Sequence, residues 1–99
     1  MTIVSVLRLP VRAEDAARFA GRFHELEVFE RSAESGGFLA GRLLRPLAEG
    51  APFLVIAEWE HADAYRAWLD NPVRAELAGR IEPLLTGEVV PGELFEEAL

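Results

Sequence analysis

The chain has 99 residues, no cysteine and a formal charge of −7, with arginine supplying all ten of its basic residues. An acidic chain repels phosphate backbones and anionic lipid, so nucleic acid and membrane surfaces are poor partners; without cysteine there is no disulfide framework, thiolate chemistry or cysteine-held metal. No apolar run nears the roughly 20 residues a bilayer needs, and Met1-Thr2-Ile3 opens a strand with no basic leader, so the sequence predicts one cytoplasmic domain over residues 1–99.

A first strand over 2–9, rich in Ile3, Val4, Val6 and Leu7, is stopped by Pro10, which cannot donate to a ladder. The spacing then predicts a helix over 13–32: Ala16, Phe19, Ala20, Phe23 and Leu26 recur on one face, while Glu14, Arg18, Arg22 and Glu25 largely take the other. Gly36-Gly37 ends it, since a glycine just past a helix takes the left-handed cap conformation. A second strand over 38–45 and a third over 53–60 are joined by a short turn-rich link, which suggests an antiparallel hairpin. On the third strand Phe53, Val55, Ala57 and Trp59 share one face, and Leu54, Ile56, Glu58 and Glu60 the other. Both faces begin apolar, as expected of a central strand covered on two sides.

From Ala62 the period turns helical, with Ala64 and Trp68, and Tyr65 and Leu69, each four apart. Asn71-Pro72 restarts the chain as cap and first residue of a helix over 72–81. A final strand is expected over 87–95 around Val89 and Val90, with Pro91 and Gly92 marking an edge or a bulge. The order β-α-β-β-α-β predicts an α+β, ferredoxin-like fold: one antiparallel sheet with helices on one face. That leaves an apolar face around Leu54 and Ile56 uncovered, and large apolar patches mark interfaces. Pairing with a second copy, as a homodimer, is the simplest cover.

The run Ala57-Glu58-Trp59-Glu60, followed by Ala64-Tyr65 and Trp68-Leu69, resembles the signature region of the antibiotic biosynthesis monooxygenase family. Gly37-Phe38-Leu39 and the order of elements are similar too, so the resemblance spans nearly the whole chain. It implies a dimeric α+β barrel, two protomers packed sheet to sheet, each with a cleft between its sheet and helices. It also implies one of two chemistries: cofactor-independent oxygenation of polyketide anthrones and quinols, or heme degradation. Trp59 matches a cleft tryptophan of both groups, and Tyr65 a tyrosine of the polyketide type. The heme-degrading type carries an asparagine on the first strand and an iron-ligating histidine on the last short helix, where this chain has about Leu7 and Ala78. The resemblance therefore points away from heme. The polyketide type has an asparagine where this chain has Val55, a histidine near Leu44, and an arginine near Ala78 for which Arg80 is the nearest substitute.

Cofactor-free oxygenation requires a substrate that becomes an electron-rich anion, a largely dry pocket, and donors where charge develops on oxygen. Trp59 can offer its indole N–H and a ring to stack on a flat substrate; its bland alternative is to fill the core. Tyr65 can donate or pass a proton, or be an ordinary half-buried helix residue. His24 suits a general base if it faces the cleft, and is otherwise solvated. Phe23, Val55, Ala57 and Trp68 are assigned to substrate contact. Arg80 can hold an enolate or phenolate, or simply pair with Glu76. Glu58 would need Arg8 or Arg42 as an ion-pair partner if its face is buried, and His61 reads as structural. Two distant histidines make no metal site, and neither a phosphate-binding glycine loop nor a Ser-His-Asp order is present.

The resulting expectation is a homodimer that oxidises a flat anthrone- or quinol-like molecule with oxygen, with no metal or flavin cofactor. The alternative is a non-catalytic small-molecule-binding domain on the same barrel, favoured by the missing asparagine, arginine and histidine.

Overall fold

A computed structural model describes residues 2–90 and 92–99. Met1 and Pro91, with the edge or bulge expected at Pro91, lie outside the described residues. Strands β1 (Ile3–Leu9), β2 (Phe38–Leu44), β3 (Phe53–Trp59) and β4 (Glu93–Glu96) form one sheet in the order β2-β3-β1-β4. Every neighbouring pair is antiparallel. Helices α1 (Ala16–Glu25), α2 (Val28–Glu34), α3 (Ala62–Leu69) and α4 (Pro72–Ile81) pack on one side, giving the ferredoxin-like α+β arrangement. No helix of the described residues is long and apolar enough to cross a membrane.

The register explains why one face of the sheet is core. Ile3, Ser5, Leu7 and Leu9 stand opposite Trp59, Ala57, Val55 and Phe53 respectively, and because side chains alternate across a pleat these eight share the helix-facing side. Leu9, Phe53, Ala57 and Trp59 are buried there, and Ser5 with them. The opposite side carries Val4, Val6, Leu54 and Ile56, interrupted by Arg8, Arg42 and Glu58. Arg8 pairs with Glu93 on β4. Glu58 is exposed, and among the described residues it pairs with neither Arg8 nor Arg42.

Two elements depart from the sequence reading. The helix expected over 13–32 is broken, with Glu27 at φ 52° separating α1 from α2. At 3.6 residues per turn, an unbroken helix would carry Val28 to about 180° from Phe19, onto the solvent side. The left-handed residue resets the phase, so that Val28, Phe29 and Ser32 face the sheet as Phe19 and Phe23 do. Phe29 fits because Gly41 lies beneath it: a Cβ at that glycine would overlap the phenyl ring. The last strand begins at Glu93 rather than 87, leaving Val89 and Val90 outside it. Leu85 bridges Val11, and the Thr86 N–H donates to the Pro10 carbonyl, which holds the chain beside the start of α1 before it returns to the edge of β1. Tertiary anchoring here overrides the β-propensity of the two valines.

Seven rings link the two halves of the core. Phe53, Phe19, Phe23, Phe29, Phe38, Trp59 and Tyr65 follow one another at centroid separations of 4.8 to 6.1 Å, mostly edge to face. Such tilted contacts add to the area the rings bury.

Candidate active site

Between the helix-facing side of the sheet and the helices lies a cleft of about 590 Å³. Its floor is the strand pair already aligned: Ser5 and Leu7 from β1, Val55, Ala57 and Trp59 from β3. One wall is Phe23 with Val28 and Phe29; the other is Tyr65, Trp68 and Leu77. Gly87, Glu88 and Val89 border it from the segment before β4.

The two tryptophans play different parts. Trp59 is only 1% exposed, and its indole N–H donates to Ser5 Oγ at 3.0 Å. A tryptophan has a single donor, so this one is already engaged. Trp68 lines the same cleft, and among the described residues its indole N–H meets no protein acceptor. No buried side-chain nitrogen or oxygen lacks a partner among those residues. The Trp59 indole N–H expected to face a substrate is thus bonded to Ser5 Oγ, while Trp68 is the second tryptophan of the lining.

Tyr65 stands edge-on to Trp59 at 5.5 Å and reaches Gly92, where a Cβ would overlap its hydroxyl. Burial raises its phenol above the ordinary value of 10.0, while the Arg74 guanidinium and a backbone hydrogen bond at Gly92 pull it partly back. It is consequently a protonated donor at neutral pH. Arg74 is half-buried in the first turn of α4 and lines the cleft. That turn is set by Asn71, whose side chain accepts from the Val73 N–H at 2.9 Å, with Pro72 at the first helical position.

Of the residues singled out in the sequence, Phe23, Val55, Ala57, Trp59, Tyr65 and Trp68 come together around this space. His24 and Arg80 do not. His24 falls about 140° from Phe19 around α1 and is exposed; Arg80 is exposed and lies 3.9 Å from Glu76. His61 caps α3, its Nδ1 accepting from the Ala64 N–H at 3.2 Å. No group of three or more metal-ligating side chains occurs among the described residues. Sequence reasoning missed Ser5 and Arg74. Ser5 is the one polar residue on the inward parity of β1, and Arg74 shares with Leu77, Ala78 and Ile81 the spacing of one helical face.

The profile of the antibiotic biosynthesis monooxygenase family matches residues 2–80. The chain belongs to that family. Within it, the chain is similar to the mycobilin-producing heme oxygenase of Mycobacterium tuberculosis, 36% identical over 87 residues that span 85% of this chain and 77% of that protein. Among solved structures it is similar to SnoaB, a cofactor-independent oxygenase from Streptomyces nogalater, at 28% identity and a TM-score of 0.76, over 99% of this chain and 94% of the other. It is also similar to the heme degrader MhuD of Mycobacterium tuberculosis, solved with two hemes bound, at 31% identity and a TM-score of 0.78, over 98% and 96%. A heme degrader and a cofactor-independent oxygenase are thus both among the proteins it resembles.

Proposed function

We propose that this member of the family is a monooxygenase that oxidises a flat, apolar aromatic molecule, anthrone- or quinol-like, with molecular oxygen. The observation that carries this is the cleft itself: an aromatic and aliphatic enclosure whose lining includes three side chains that carry donors, Trp68, Ser5 and Tyr65. In such a site a substrate enolate or phenolate is held out of water beside donors that stabilise charge as it moves to oxygen. For an anthrone the change is CH2 plus O2 giving C=O plus water: one oxygen atom enters the ring system and the other leaves with both methylene hydrogens. The protein supplies surroundings and proton donors, and the electrons come from the substrate. The working unit in this reading is a homodimer joined through the open face bearing Val4, Val6, Leu54 and Ile56.

Oxygen uptake by metal-free protein over a panel of anthrones and naphthoquinols tests it, with Trp68→Phe and Trp59→Phe alongside. Uptake by the wild type that falls about tenfold or more in Trp68→Phe supports the assignment. Aromatic ligands bound without any uptake would leave a binding domain instead.

A second reading, heme as the flat ligand, is favoured by the 36% identity to a heme oxygenase. Against it stands the lining, which includes neither histidine of the chain. Titration of the protein with hemin separates the two: a shifted Soret band at one heme per cleft would favour heme.

A further inference from the structure

We infer that Arg74 makes the cleft selective for an acidic aromatic ligand, whose carboxylate or ionised phenol sits by the guanidinium while its ring lies on the apolar floor. This inference rests on reading the cleft as an aromatic-ligand site and narrows the class of molecule. Among the described residues that line the cleft, Arg74 is the only cation. It is half-buried, and among the described residues no carboxylate lies within ion-pair distance of it. The other arginines on or near α3 and α4 behave differently: Arg66 pairs with Asp63 at 2.9 Å and Arg80 approaches Glu76, all four side chains being well exposed.

A cation drawn part-way out of water without a counter-ion is costly, and an incoming anion would supply the missing partner. A planar guanidinium offers two parallel N–H donors to a carboxylate. Its placement in the first turn of a ten-residue helix adds the positive end of the helix dipole to the same end of the cleft. The acidic residues of the lining, Glu82 and Glu88, are both exposed. Glu82 lies eight residues further along, about 12 Å at the helical rise, so the cleft is polarised along α4. A ligand with one acidic end is thereby oriented, its neutral end toward Glu82. Tyr65, which lines the same cleft, offers the bound anion a second donor.

The test compares 2-naphthoic acid with its neutral isostere 2-naphthamide, each titrated at neutral pH and low salt by quenching of tryptophan fluorescence. The wild type is expected to bind the acid about tenfold tighter than the amide, the scale of one charge-assisted contact. In Arg74→Gln the acid-to-amide ratio should fall to about one, and Arg74→Lys, which keeps the charge, should retain most of it. Thermal melts establish that both variants are folded. Wild-type protein that binds the amide as tightly as the acid, or Arg74→Gln that leaves the ratio unchanged, overturns the inference and spares the aromatic cleft. If neither probe binds the wild type, the cleft assignment falls with it.

Discussion

The Trp59 indole N–H donates to Ser5 Oγ across the β1–β3 ladder, a buried bond of 3.0 Å between residues 54 apart in sequence. Both partners are nearly inaccessible, at 1% and 4%. A Ser5→Ala protein leaves the indole donor buried and unpaired, at a cost of about 1–3 kcal/mol. Urea unfolding followed by tryptophan fluorescence should show that loss, whereas Ser5→Thr, which keeps the acceptor, should lose less.

Tyr65 is the only tyrosine of the chain, so its ionisation can be followed directly by ultraviolet absorbance. Burial raises the phenol above 10.0. The folded protein therefore holds this proton to higher pH than the unfolded chain does. Stability is unaffected by Tyr65 below pH 10 and declines as pH rises from there through the native value. Tyrosinate absorbance should appear above that of free tyrosine, and Arg74→Gln, by removing the opposing cation, should move it higher still. A titration coinciding with free tyrosine would contradict the burial.

Gly41→Ala forces the Phe29 ring off the sheet. Overpacking of this kind typically costs about 1–3 kcal/mol, and because Phe29 is part of one wall, ligand affinity should fall along with stability. Gly21→Ala on α1 is the control, since a Cβ there meets nothing within 4 Å; it should be neutral or slightly stabilising.

For the homodimer, light scattering at micromolar concentration should give about twice the chain mass of 11.0 kDa. Ile56→Glu, which places a charge among Val4, Val6 and Leu54, should yield monomers that remain folded. A wild-type monomer would refute the proposed assembly.

Most of the scaffold is legible in the sequence because its elements obey simple periods. Alternation on β3 sorts Phe53, Val55, Ala57 and Trp59 onto one face, and four-residue spacing pairs Tyr65 with Leu69. The break at Glu27 is hidden because the first half of the stripe, from Ala16 to Phe23, fits a helix perfectly well; the misfit begins only at Val28. β4 is misplaced because Val89 and Val90 have the stronger strand chemistry, yet the ladder is decided by where Leu85 and Thr86 are held. At the site, aromatic residues declare themselves by size, which favoured both tryptophans. That the Trp59 N–H is taken up depends on Ser5, a contact across 54 positions that no local pattern encodes. His24 failed to reach the cleft for a reason already contained in the helical period.

Because the chain turns at Glu27, the wall formed by Val28 and Phe29 is a seven-residue helix and not the end of a longer rod. Helices this short are marginal on their own and keep their shape through packing. The amides of α2 should accordingly exchange with solvent well before those of β1 and β3 underneath, which hydrogen exchange can resolve. If exchange shows that order, the enclosure is stiff below and yielding on one side, and a ligand broader than its resting opening is expected to enter by displacing α2 while every strand stays paired.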